Sequence, residues 1–280
     1  MTTPRLSRIV HKNDLNTYLG NWKNTMAMMD KIKEEKGGHY PIGRLPTPFE
    51  SYAFNTHDLR VLLFFLDKNL RILEETPLHQ FNDEAYAEAR VFLKTSFIVF
   101  PVILDDLSGI IEYFYKINEP TVEVKKAFND LLVKANSGRL PPDLFRMLEQ
   151  ANSWFPEMKD TRDDVIHYYD SILISFKEIE GGKNIIGHFH IGGRKPYAYE
   201  DTRGFFGHMF CEYQKLIDNL LDHFDAKFME WYGFKPHRDF SILEGRAGII
   251  LWWAHKFGSY RHRDLQVIEN NDVEAGNETI

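Results

Sequence analysis

Apolar residues recur at helical spacing in several long segments of this chain, and that pattern constrains its fold more than any other feature. One stripe lies between Asp58 and Glu75, and a longer, aromatic-rich stripe lies between Arg203 and Trp231. A helix with one apolar face must bury that face against another element, so several such helices in one chain predict a helical bundle. The predicted fold class is therefore all-α. The members of the first stripe are Leu59, Leu62, Leu63, Leu66, Leu70 and Leu73.

Proline and glycine divide the rest of the sequence into further helical patterns and loops. Pro101 lies inside one long pattern and predicts a kink or a break near Phe100, because proline removes one helical hydrogen bond. Three closely spaced prolines predict a loop over residues 39–55. The other predicted helices cover residues 14–36, 83–117, 122–135, 143–150, 161–179 and 242–257.

Residues 184–199 depart from the helical pattern. Their alternation around Gly192-Gly193 is typical of a β-hairpin, which the sequence predicts as a small insertion. His188 and His190 alternate on the first predicted strand and so point to the same side, the geometry of two metal ligands. No cysteine or Glu-x-x-His pattern supports a metal, so these histidines are weak candidates, and the sequence predicts neither a metal nor another cofactor.

Composition narrows the class of protein. A net charge of −7 weighs against a chain whose main role is to grip long nucleic acids, although a local basic cleft remains open. Cys211 is the only cysteine, which excludes an internal disulfide and suits the cytoplasm. The most apolar run, residues 97–104, is too short to span a membrane. We expect one helical domain over residues 1–268 and a flexible acidic tail over residues 269–280.

The segment from Lys159 to Tyr169 carries the most specific chemical pattern. Thr161 and Asp164 have the spacing of a capping box, so a helix is predicted to start there. A helix N-terminus offers free backbone N–H groups that favour an anion. The segment is therefore predicted to place charged side chains beside an anion-binding helix start.

Three side chains of this segment combine phosphate binding with proton transfer. Arg162 can hold a phosphate through two parallel hydrogen bonds and stabilise charge that develops on it. Asp163 and His167 are four residues apart and share a helix face, where the carboxylate can orient the imidazole and raise its pKa. A histidine that titrates near neutrality can transfer protons. These are the elements that metal-free RNA cleavage requires, with the ribose 2′-hydroxyl as nucleophile.

Two other arginine–histidine pairs have a similar spacing. Arg203 and His208 are separated by glycine and aromatic residues, and Arg5 and His11 lie near the N-terminus. The Arg162 pair differs from both because an acidic residue directly follows the arginine and because a helix is predicted to start beside it.

With its arginine, acidic residue and histidine, the segment resembles the HEPN superfamily, and the resemblance covers roughly residues 83–231. It implies a helical bundle, a homodimer that places two motifs in one cleft, and often a metal-independent endoribonuclease of toxin–antitoxin or defence systems. RNA and an antitoxin or other protein are then the expected partners, with no membrane association. Carried over to this chain, Arg162, Asp163 and His167 match the arginine, polar and histidine positions of the motif.

A non-catalytic helical interaction protein is the alternative hypothesis. Arg162 then pairs with Asp163, Asp164 or a neighbouring helix, and His167 is a satisfied, partly buried histidine. In that case internal contacts engage Arg162 and His167, and no cleft lies in front of them. A metal-dependent enzyme that uses His188 and His190 is a third hypothesis.

Overall fold

The computed structural model describes residues 22–36, 47–76, 82–118, 127–134, 140–167, 172–178, 185–191, 197–198, 201–234, 242–243, 249–258 and 267–268. These residues form an all-α helical bundle with a small β-sheet insertion, as predicted. The helices are α1 (Trp22–Glu35), α2 (Thr47–Glu75), α3 (Asp83–Asn118), α4 (Phe128–Lys134), α5 (Pro142–Glu149), α6 (Phe155–His167), α7 (Thr202–Tyr232) and α8 (Ile249–Lys256). The strands are β1 (Ile172–Glu178), β2 (Ile185–Ile191), β3 (Tyr197–Ala198), β4 (Ile242–Leu243) and β5 (Val267–Ile268).

The long helices α2, α3 and α7 supply most of the buried core. α3 and α7 meet through stacked and edge-on rings: the centroids of Phe97 and Phe206 lie 5.0 Å apart, and those of Phe114 and Phe224 lie 3.9 Å apart. The ring contacts advance in the same direction along both helices, so α3 and α7 run parallel. Each aromatic pair adds about 0.5–1.5 kcal/mol beyond the area that it buries.

The break predicted near Phe100 and part of the loop predicted for residues 39–55 are wrong. α3 continues through Pro101 as one helix, and buried residues on both sides, Phe97 and Leu104 among them, hold it against the loss of one hydrogen bond. The loop predicted for residues 39–55 ends before Thr47, where α2 begins. Pro48 occupies the first turn of α2, where its missing N–H group has no helical acceptor.

The helix predicted for residues 161–179 is also wrong at both ends. α6 begins at Phe155 and ends at His167, and β1 occupies residues 172–178. Ile172 and Ile174 are buried while Leu173 between them is exposed, a period of two that is typical of a strand and not of a helix. The Nε atom of Arg90 on α3 donates a 2.7 Å hydrogen bond to the carbonyl of Ile172 and fixes the strand on the bundle.

The insertion is a three-stranded antiparallel sheet in the order β1-β2-β3. The β2–β3 pairing of Ile191 with Tyr197 confirms the predicted hairpin, and β1 extends it. Phe189 of β2 is fully buried, with its ring 5.3 Å from those of Phe97 and Phe205, and it joins the sheet to the core.

At the C-terminal side, the helix predicted for residues 242–257 begins only at Ile249, and residues 242–243 pair with residues 267–268 as short parallel strands. Cys211 is buried inside α7. The tail over residues 269–280 lies outside the described residues. In the described part of the chain, none of the helices has the length and apolar character needed to cross a membrane.

Candidate functional site

The arginine–histidine motif lies in the second half of α6. Arg162 and Asp163 follow two turns of helix, and His167 is the last helical residue, so the prediction that a helix starts at Thr161 is wrong. The true start has Pro156 in its first turn, a position that proline favours. Thr161 is fully buried and its hydroxyl has no hydrogen-bond partner, so it does not cap the helix. The free N–H groups of a helix start are therefore absent from beside Arg162.

Asp163 is shared between two cations. Its Oδ1 atom lies 3.3 Å from Nη1 of Arg162, and its Oδ2 atom lies 3.3 Å from Nζ of Lys159. The side chains of Arg162 and Lys159 are each 39% exposed, so water screens both contacts and each is worth about 0–1 kcal/mol. Nε of Arg162 is buried without a hydrogen-bond partner. The exposed end of the guanidinium thus keeps donor groups that an anion can reach.

The surroundings of Arg162 on α6 are acidic overall. The helix carries four acidic and two basic side chains, and the basic ones are Lys159 and Arg162. Among the charged side chains described on α6, Lys159 and Arg162 would attract a phosphate and the four carboxylates would repel it.

For the three candidate histidines, His167, His188 and His190, the structure describes the backbone but not the side chains. His167 ends α6, and His188 and His190 lie in β2 opposite Ser175 and Leu173. Within the described ranges, no group of three histidine, cysteine, aspartate or glutamate side chains is placed to hold a metal ion.

Arg203 and His208, the second pair of similar spacing, differ in burial: the arginine is buried and the histidine is exposed. Arg203 lies in the first turn of α7, and its guanidinium donates 2.7 Å hydrogen bonds to the carboxylates of Asp67 and Glu74 on α2. Burial acts to lower the pKa of Arg203, but the bonds to Glu74 and Asp67 raise it overall, so the charge is firmly held. His208 is exposed. The guanidinium of Arg203 is engaged in internal hydrogen bonds to Asp67 and Glu74, so it does not offer a ligand-binding group.

A buried histidine that sequence reasoning missed joins three helices. Nε2 of His223 on α7 lies 2.6 Å from the hydroxyl of Tyr115 on α3, and Nδ1 lies 3.3 Å from Oδ2 of Asp143 on α5. Both ring nitrogens are engaged, and Tyr115 is fully buried, so the arrangement links the three helices. The signal in the sequence was a histidine inside an apolar stripe, but nothing in the sequence pointed to its partners.

His223 lines an open cleft of about 440 Å³ between α5 and α7. Burial lowers the pKa of His223 below its usual 6.5, Asp143 and Glu230 act to raise it, and Lys227 lowers it further. The neutral imidazole is therefore favoured in the folded protein. The cleft is lined by Asp143, Arg146, Met147, Gln150, Asn219, Asp222 and His223.

We expect His223 to make the fold sensitive to mild acid. The pKa of His223 is lower in the folded state than in the unfolded state, so the unfolded chain binds a proton more readily. The contribution of His223 to the stability of the fold is therefore present above pH 6.5 and is lost as the pH falls. Urea unfolding between pH 5 and pH 8 should show a steeper loss of stability towards acid in wild type than in His223→Gln. Asp30, whose pKa burial raises to about 6, acts in the opposite direction, but both proteins contain it. Parallel pH profiles would contradict this assignment.

The fold and the site thus define a helical bundle with an inserted sheet and one partly exposed arginine motif. No family model, curated protein or solved structure matches the chain.

Proposed function

We propose that this protein is a HEPN-like, metal-independent endoribonuclease or RNA-binding protein. Arg162 holds the phosphate, His167 acts as general acid or base, and Asp163 orients His167. The exposure of Arg162 is the observation that carries the proposal. Of the two arginines with this spacing in the described residues, Arg203 is buried against two carboxylates, whereas Arg162 is 39% exposed and makes one long contact.

The proposed reaction needs no metal ion. A base removes the proton of the ribose 2′-hydroxyl, the 2′-oxygen bonds to phosphorus, and the bond to the 5′-oxygen breaks as that oxygen takes a proton from an acid. Arg162 stabilises the charge on the phosphoryl oxygens. The products are a 2′,3′-cyclic phosphate and a 5′-hydroxyl.

One motif supplies one histidine, but the reaction uses a base and an acid. The proposal therefore includes a two-fold homodimer in which two copies of α6 face one cleft. It also places the protein in the cytoplasm, with an antitoxin or another regulatory protein as a further partner. Sedimentation that shows a strict monomer at micromolar concentration would count against the shared cleft.

A non-catalytic interaction protein is the second candidate, and one specific observation favours it. Asp163 pairs with both Lys159 and Arg162, so the charges of the motif are partly satisfied within α6 itself. In this candidate function Arg162 has a structural role on the helix surface, and substitution of His167 changes no activity.

RNA cleavage in EDTA separates the two candidates. Wild-type protein should cut single-stranded RNA without metal and leave a 2′,3′-cyclic phosphate, which mass spectrometry of the fragments identifies. Intact RNA after incubation with wild-type protein would favour the interaction protein.

A further inference from the structure

We infer that Lys159 and Arg162 form a two-cation phosphate-binding pair on α6, which Asp163 holds in a partly neutralised state. The ligand is a single-stranded nucleic acid, bound through consecutive phosphates. The identity of the ligand rests on the proposed function, whereas the pair itself follows from the contacts around Asp163.

The helix places the three side chains next to one another. Lys159 lies three residues before Arg162 and four before Asp163, so its side chain neighbours both, with Cβ atoms about 5–6 Å apart in each pair. Each cation contacts a different oxygen of Asp163, at 3.3 Å. The carboxylate therefore restrains both cations at once. Lys159 and Arg162 are equally exposed, so one ligand can reach both.

The contacts of Asp163 are weak enough to be exchanged for a phosphate. Charge-assisted hydrogen bonds are usually about 2.7–2.9 Å long, and both contacts of Asp163 exceed that length. Arg203, by comparison, reaches its two carboxylates at 2.7 Å. Nε of Arg162 also lacks a partner, so no second hydrogen bond fixes the orientation of its guanidinium. A phosphate that offers shorter contacts can displace Asp163.

Net charge distinguishes this cluster from ordinary ion pairs on the same protein. On α7, Lys215 contacts Glu212 at 2.6 Å and Lys227 contacts Glu230 at 3.1 Å, and a lysine–glutamate pair of this kind carries no net charge. On α6 one carboxylate serves two cations, so the cluster keeps one positive charge. That charge, exposed on an otherwise acidic helix, is the feature that a phosphate recognises.

The test measures binding of a fluorescent single-stranded DNA oligonucleotide to the full chain in EDTA. Lacking a 2′-hydroxyl, the oligonucleotide cannot be cleaved, so binding is separated from catalysis. Asp163→Asn should tighten binding about 2- to 5-fold, because it releases both cations from contacts of modest strength. Asp160→Asn is the matched control: it removes the same charge from an exposed position on the same helix and should have a smaller effect.

Lys159→Gln should weaken binding and reduce the slope of log affinity against log salt by about one, the effect of one lost phosphate contact. Lys215→Gln, which removes an exposed lysine that contacts Glu212 on α7, should leave the slope unchanged. Circular dichroism confirms that each variant is folded.

Equal tightening by Asp160→Asn and Asp163→Asn would reduce the effect to general electrostatics and overturn the inference. An unchanged slope for Lys159→Gln, or no binding by wild type, would also overturn it. If DNA binding does not depend on Lys159 and Asp163 but wild type still cleaves RNA, the inferred pair is excluded and the proposed function stands. DNA binding that depends on Lys159, without RNA cleavage, keeps the pair and removes the ribonuclease.

Discussion

His167→Ala should slow RNA cleavage in EDTA by about 10²- to 10⁴-fold, the usual cost of losing a general acid or base, and Arg162→Ala should also slow it. Removal of a group that stabilises developing phosphoryl charge has an effect of similar size, about 10²- to 10³-fold. Single-turnover cleavage of a labelled single-stranded RNA measures both effects. Arg162→Lys should also be impaired, because an ammonium group cannot reproduce the two parallel hydrogen bonds of a guanidinium.

His208→Ala is the matched control for this experiment. His208 is an exposed histidine on α7 and belongs to the other pair of similar spacing, so its loss should leave cleavage near the wild-type rate. Arg203→Ala is unsuitable as a control because Arg203 is buried in two ion pairs. If His167→Ala cleaves RNA as fast as wild type, the catalytic role of His167 is excluded, and the chemistry must reside elsewhere.

Much of the helical architecture could be predicted from the sequence, because a helix with a long apolar stripe must bury that stripe against another element. The α7 stripe is buried as the pattern requires, and so is the α2 stripe from Leu59 to Leu73 except for Leu62, which is partly buried. Errors occurred where two periodicities overlapped. Val165, Ile172 and Phe176 fit a helical stripe, but Ile172 and Ile174 also fit a strand. Pairing with β2 and the hydrogen bond from Arg90 decide in favour of the strand, and these are long-range contacts.

The candidate site was harder to predict, since its geometry depends on where α6 begins. The spacing of Thr161 and Asp164 satisfies a capping box, but the same residues fit the interior of a helix that starts at Phe155. Pro156 was the better start signal. The sharing of Asp163 by Lys159 and Arg162 follows from helical spacing once the helix is known. The partners of His223 come from α3 and α5, so no local pattern could reveal them.

Arg203→Ala should destabilise the fold by about 3–5 kcal/mol, because it removes the largely buried cation that two carboxylates share. The side chains of Arg203, Asp67 and Glu74 are only 10–16% exposed, so water cannot replace the lost contacts. The three residues join the start of α7 to α2, so the change should lower the midpoint of urea unfolding at pH 7. Arg203→Lys should recover part of the loss, since lysine keeps the charge but not the two-pronged geometry.

Arg71→Ala provides a control on the same acceptor. Arg71 also contacts Asp67, at 2.8 Å, but its side chain is 63% exposed, so its loss should cost no more than about 1 kcal/mol. Similar small losses for Arg71→Ala and Arg203→Ala would show that the buried contacts do not stabilise the fold. Replacing Arg203, Asp67 and Glu74 together with apolar residues of similar volume should restore much of the stability that Arg203→Ala loses, because no desolvated charge then remains among the three positions.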